Sequence, residues 1–200
     1  MVTIHVPLNP DGPDKTLGMV DQEFLGSLKK GAILINTSRG EVLDEEAVIR
    51  QKKANPIVDF SLILDVWPNE PQLNRELLNI TAIATPHIAG YSTDGKFNAT
   101  RMMIEEVSRV FGIVPGPMSG SLEDMVMHIE ETDRSVRQIG DFVKMTYDIL
   151  ADDRMLRATP ETFEEQRNNY PVRREFAAWA VNPFPGGDTG RILAGLGFRQ

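Results

Sequence analysis

The sequence predicts an α/β protein: part of a doubly wound, parallel sheet followed by a small α+β module. Three observations predict it. Short, near-continuous apolar runs recur at Val2–Val6, Ala32–Ile35, Leu62–Val66 and Ile80–Ala84. Amphipathic stretches with helix start and stop signals separate them. After a Pro/Gly-rich segment from Gly112 to Gly120 the pattern changes. Apolar strands alternating with helices are what a parallel sheet covered on both faces requires. The expected division is therefore 1–112 for the sheet domain with a trailing helix, 113–120 for a linker, and 121–200 for the second module.

Each element has a local reason. Pro7 and the turn-rich Asn9-Pro10-Asp11-Gly12-Pro13 close the first strand. Asp21 is placed to cap a helix through Leu28, and Lys29, Lys30 and Gly31 supply its C-terminal signals. Asn36-Thr37-Ser38-Arg39-Gly40 stops the second strand. Asp44 caps a helix to Lys52 that buries Ala47 and Val48, and Asn74–Leu78 is a short helix. Met102, Met103, Val107, Val110 and Phe111 repeat at helical spacing over Lys96–Phe111. In the second module, Met125–Ile129 reads as a strand. Asp133 is a cap for one long helix reaching Leu150, with Val136, Ile139, Phe142, Val143, Thr146, Ile149 and Leu150 on its apolar face. A helix after Pro160, a strand at Phe176–Val181, a helix near Asp188–Leu196 and a short strand at Gly197–Arg199 complete it. No internal repeat or low-complexity segment is visible.

Composition narrows the function classes. Acidic residues outnumber basic ones 29 to 21, for a net charge of −8. That sign repels phosphate backbones and anionic lipid, which argues against nucleic-acid and membrane binding. The chain has no cysteine, so disulfides, thiolate nucleophiles and cysteine zinc sites are excluded. Its three histidines lack metal-ligand spacing, and no metal is expected. No apolar run approaches the roughly 20 residues of a membrane span, and the N-terminus does not read as a signal peptide. A cytoplasmic protein is expected.

Ligands of an open parallel sheet bind beyond the carboxyl ends of the strands. Arg39, Glu70 and His87 fall there, after three successive predicted strands. An imidazole exchanges protons near neutral pH, a carboxylate on its far nitrogen fixes the tautomer, and a guanidinium grips a carboxylate with two prongs. The set suits oxidation of a 2-hydroxy acid, and the hydride then needs a nicotinamide acceptor. Singly, each has a plainer reading: a hydrogen-bonded structural histidine, a surface ion pair, and a packed indole at Asp65-Val66-Trp67. His128 is taken as structural. Ser92 near His87 lacks the nucleophile-elbow context of a hydrolase.

Together the motifs carry more. Gly31-Ala32-Ile33-Leu34-Ile35-Asn36-Thr37-Ser38-Arg39-Gly40-Glu41-Val42-Leu43-Asp44, Leu64-Asp65-Val66-Trp67-Pro68-Asn69-Glu70-Pro71 and Thr85-Pro86-His87-Ile88-Ala89-Gly90 resemble the Arg, Asp/Glu and His motifs of the D-isomer-specific 2-hydroxyacid dehydrogenases. The resemblance implies a Rossmann-like domain that binds NAD, with Arg39, Glu70 and His87 as catalytic residues. It implies that Val6, Thr37, Ser38, Arg39, Asp65 and Gly90 meet the cofactor, with Asp65 at the nicotinamide, and gives His5 at most a supporting place. Gly90-Tyr91-Ser92-Thr93-Asp94-Gly95-Lys96 resembles the branch that acts on 4-phospho-D-erythronate in vitamin B6 synthesis. So does the tail, from Tyr147-Asp148-Ile149 through Arg173-Arg174-Glu175-Phe176 to Leu196-Gly197-Phe198. There Arg39 and Tyr91 contact the substrate, and a C-terminal domain, here 121–200, forms a homodimer. A dehydrogenase of another hydroxy acid, such as phosphoglycerate, and a non-catalytic dimerisation protein are the alternatives.

One feature departs from the resemblance. No G-x-G-x-x-G turn occurs, so the usual amide cradle for the pyrophosphate is missing. The chain is expected to begin inside the nucleotide-binding domain, as a fragment or a truncated product, and to be inactive alone. Without the residue that reads the adenosine ribose, NAD is not separable from NADP.

Overall fold

Strands β1 (Val2–Ile4), β2 (Ala32–Asn36), β3 (Phe60–Leu64) and β4 (Ile83–Ala84) lie side by side in that order, every neighbouring pair parallel. The computed structural model describes residues 1–54, 60–116, 126–130 and 138–200. It divides into two compact units, Met1–Ala89 with Ile149–Tyr170 and Gly90–Asp148 with Pro171–Gln200.

The first unit is built around the sheet. Leu34, Leu62 and Leu64 are fully buried, joined by Leu25 of α1 (Gln22–Ser27), Ala47 and Val48 of α2 (Glu45–Ala54), and Leu77 of α3 (Arg75–Ile80). Caps fix the helix starts. Asp21 accepts from the Phe24 N–H (2.9 Å), Asp44 from Ala47 (2.9 Å) and Asn74 from Glu76 (2.8 Å). The register sets Ile4 beside Asn36, Asn36 beside Leu64 and Leu64 beside Ala84, so the four carboxyl ends are level.

Helices α6 (Ile149–Ala158) and α7 (Phe163–Asn168) complete this unit rather than the other. Leu156 and Phe163 enter its core almost without exposure. Arg157 donates to the carbonyls of Leu78 and Thr81, 2.7 Å each, where α3 ends. Asp153 holds the same guanidinium and accepts from the Ala84 N–H at 2.7 Å.

The second unit pairs β5 (Met127–Glu130) in parallel with β6 (Trp179–Asn182). Ile129 and Val181 pack with Phe142 of α5 (Ile139–Thr146), Leu193 of α8 (Gly187–Leu196) and Phe198. Helix α4 (Thr93–Phe111) begins at Ser92, whose hydroxyl accepts from the Gly95 N–H at 3.1 Å. Asp94 in its first turn takes both prongs of the buried Arg174 guanidinium, 2.9 Å each, and the Glu175 N–H at 2.8 Å. Burial pushes the Asp94 carboxyl up, but the Arg174 and Glu175 hydrogen bonds outweigh it and hold it below its usual range.

Several expectations need revision. The single long helix to Leu150 is two helices, α5 and α6, with Tyr147 between them in extended conformation (φ −160°, ψ 116°) and the pieces in different units. The apolar spacing runs through the break, which is why periodicity conceals it. Asp133 and Val136 lie outside the described residues, as does Met125. The expected strand at Gly197–Arg199 is a single bridge between Ala180 and Arg199. The compact units change at residue 89 and take 149–170 back into the first. Of the expected linker, residues 113–116 have no regular structure and 117–120 lie outside the described residues. The sheet's second face is partly open: Ile33 is 38% exposed, and Ser61 is also exposed. No described helix is long and apolar enough to cross a membrane.

Candidate active site

The loops beyond β2, β3 and β4 carry the expected residues. Beyond β2, the buried Asn36 side chain organises the turn, accepting from the Ser38 N–H (3.0 Å) and hydroxyl (2.9 Å) and donating to the Arg39 carbonyl (2.8 Å). Gly40 follows against the loop beyond β3. A Cβ there would lie 2.0 Å from the Trp67 carbonyl carbon, so only glycine lets these two loops meet.

Beyond β3, Asp65 serves as an anchor. Its carboxylate is buried and accepts from the Thr85 hydroxyl (2.6 Å) and the N–H groups of Ile88 (2.8 Å) and Ala89 (2.9 Å). Its carbonyl accepts from the His87 N–H at 2.7 Å. The turn beyond β4 is thus wrapped around one residue of the neighbouring strand end. That wrapping holds His87 at φ +58°, a left-handed conformation costing a non-glycine residue about 1–3 kcal/mol.

The reward of that conformation is a contact. His87 Nδ1 lies 2.8 Å from Glu70 Oε2, while the Trp67 N–H donates to Glu70 Oε1 at 2.9 Å. A carboxylate only accepts, so Nδ1 carries the hydrogen and Nε2 keeps the lone pair. Both side chains are partly exposed, His87 26% and Glu70 20%, so a small molecule has access to the pair.

The structure joins Glu70 and His87 and places Arg39 on the adjacent loop at the same sheet edge. The Arg39 side chain is exposed and its Nη1 donates to the Ser38 carbonyl at 2.7 Å. Thr37 and Ser38 are half-buried in that loop, and Val6 is half-buried just past β1. Gly90 and Tyr91 belong to the other unit, where the Lys96 ammonium sits 3.8 Å from the Tyr91 ring centroid. His5 is exposed and hydrogen-bonded to Thr3, and His128 is exposed on β5. Asp65, expected to meet the nicotinamide, has its carboxylate engaged in the turn. Asn36, Thr85 and Trp67 had no assigned place in the site. Only the buried polar character of Asn36 and Thr85, at strand ends, hinted at one.

Residues 1–89 match the family model of the D-isomer specific 2-hydroxyacid dehydrogenase NAD binding domain. Residues 123–197 match a second family, described as a domain of unknown function. The chain is 39% identical over 187 residues to the erythronate-4-phosphate dehydrogenase of Bacteroides fragilis, covering 90% of the chain and 50% of that protein. To the enzyme of the same name from Porphyromonas gingivalis it is 38% identical over 209 residues, 99% of the chain and 54% of the relative. The chain therefore spans about half the length of these relatives. The solved D-mandelate dehydrogenase of Rhodotorula graminis is similar over 54% of the chain and 30% of its own, at 28% identity and a TM-score of 0.45.

The NAD binding family prompts a test of fit. Half-buried Val6, Thr37 and Ser38, level with the His87–Glu70 pair on the same edge, suit a nicotinamide ring and its ribose. For the pyrophosphate the sequence offers no G-x-G-x-x-G turn. The residues present fit the reactive end of the cofactor.

Proposed function

We propose that this chain is the acid–base half of an NAD-dependent dehydrogenase that oxidises 4-phospho-D-erythronate to 2-oxo-3-hydroxy-4-phosphobutanoate, a step in making pyridoxine 5′-phosphate. The observation that carries the proposal is the 2.8 Å contact between His87 Nδ1 and Glu70. His87 Nε2 takes the proton of the substrate's C2 hydroxyl, and Glu70 stabilises the imidazolium so formed. Arg39 grips the C1 carboxylate and orients C2. NAD supplies the hydride acceptor that no side chain offers. The C2–H and O–H bonds break, a C=O bond forms, and one hydride and one proton leave. The relatives' printed name and the coverage of the chain by them support the substrate. We assign homodimer contacts to residues 121–200 on the resemblance of that segment, a reading that sedimentation of a monomeric full chain would remove.

The 200 residues alone are expected to bind NAD far more weakly than micromolar. Each missing charge-assisted contact to the pyrophosphate forfeits about 1.5–3 kcal/mol, and calorimetry reads the affinity directly. A chimera joining this chain to the part of the Bacteroides fragilis protein outside the match should reduce NAD with 4-phospho-D-erythronate. His87→Ala in that chimera should lower kcat by about 100-fold or more. A folded chimera that turns over 3-phosphoglycerate instead, or neither acid, rejects the proposal.

A further inference from the structure

We infer that Trp67 is the positioning residue of this site: its indole N–H, beyond its bulk, holds the turn that presents His87 to Glu70. Trp67 touches all three loops. Its backbone N–H fixes Glu70 Oε1, which leaves Oε2 for the histidine. Its carbonyl carbon forms the floor against which Gly40, next to Arg39, is pressed. Its indole Nε1–H donates to the Thr85 carbonyl at 2.9 Å, two residues before His87, and both partners are buried.

The first two contacts use backbone atoms, and any residue but proline at 67 would supply them. The third belongs to the indole alone. A core filler does not need it, since a phenyl ring packs without a donor. The bond acts where it is needed, because Thr85 is one end of the left-handed turn and its hydroxyl is already committed to Asp65. Remove it, and a buried carbonyl is left without that donor at the root of the strained segment. The turn then relaxes most readily by releasing His87 from φ +58°. The indole thus keeps the imidazole tautomer fixed from a distance, without touching the ring.

The inference rests on the proposed acid–base role of His87, but its test uses no turnover, so the two fail separately. The full chain has three histidines, and labelling their rings with nitrogen-15 resolves each imidazole by NMR, with His87→Gln identifying its signals. At alkaline pH, where imidazoles are neutral, a fixed tautomer shows well-separated Nδ1 and Nε2 resonances. A freely exchanging ring shows averaged ones. Trp67→Phe should move the His87 pair towards the averaged positions of free histidine. Unchanged, separated resonances in a folded Trp67→Phe protein overturn the inference. If that variant does not fold, the same spectrum is taken with an indole isostere carrying sulfur in place of N–H. The chain has two tryptophans, and Nε1 of the other, Trp179, is buried without a hydrogen-bond partner among the described residues. Among the described residues the isostere therefore deletes one indole hydrogen bond, the one at Trp67. Averaging supports the inference and a retained separation ends it. Averaging in the chain, with a chimera inactive on both acids, would leave the positioning role standing and remove the dehydrogenase reading.

Discussion

His87 sits at φ +58° with its backbone N–H, its ring and the two following amides all bonded to Asp65 or Glu70. Strain of this kind persists only where surrounding contacts over-determine it, and it concentrates where geometry serves chemistry. Its cost is measurable by removing the side chain in two ways. His87→Gly should exceed His87→Ala in stability by about 1 kcal/mol, because glycine enters the left-handed region freely and alanine does not. Urea unfolding of the two variants compares them, and equal midpoints would show that the turn carries no such strain. The sequence announced His87 and Glu70 through motif and strand-end placement. It did not announce that Asp65 anchors a turn. A carboxylate's role depends on which amides a neighbouring strand end brings to it, and those of Ile88 and Ala89 lie 23 and 24 residues away.

Local signals were legible in the elements wherever one side chain decides a boundary. Asp21 and Asp44 cap the helices expected of them, and Asn74, expected as the first residue of its helix, stands one place before it as the cap. The unread features depend on distant partners. The break between α5 and α6 interrupts a continuous apolar stripe, and Arg157 reaches the end of α3 from 79 residues away. Helix α4 shows how one distant partner governs an element. Its first turn is tied to Arg174 and Glu175 through the Asp94 carboxylate. The folded Asp94 group titrates below its usual value, so its stabilisation is present above about pH 3.9, the unfolded value. It is lost as pH falls through the lower, folded value. Asp94→Asn should therefore cost about 3 kcal/mol at neutral pH, where it leaves Arg174 buried beside a neutral amide. The variant should also show a shallower loss of stability on acidification than the parent. Identical acid slopes by chemical denaturation from pH 6 down to about pH 2 would contradict the ion pair's role.

At the scale of the molecule, the family boundary at residue 89 and the structural boundary coincide on one side only. The first unit also needs Ile149–Tyr170, and with it Leu156 and Phe163. Truncating one such buried side chain typically costs about 2–5 kcal/mol, and a domain's whole stability is about 5–15 kcal/mol. A polypeptide of residues 1–89 should therefore lack a cooperative thermal transition. One in which 149–170 follows 89 through a short linker should regain it. A sharp transition in 1–89 alone, seen by calorimetry, would contradict this account of the core. The chain crosses between its units after residues 89, 148 and 170. On the ribosome the nascent sheet consequently waits, its floor unlaid, while the 59 residues from 90 to 148 are synthesised.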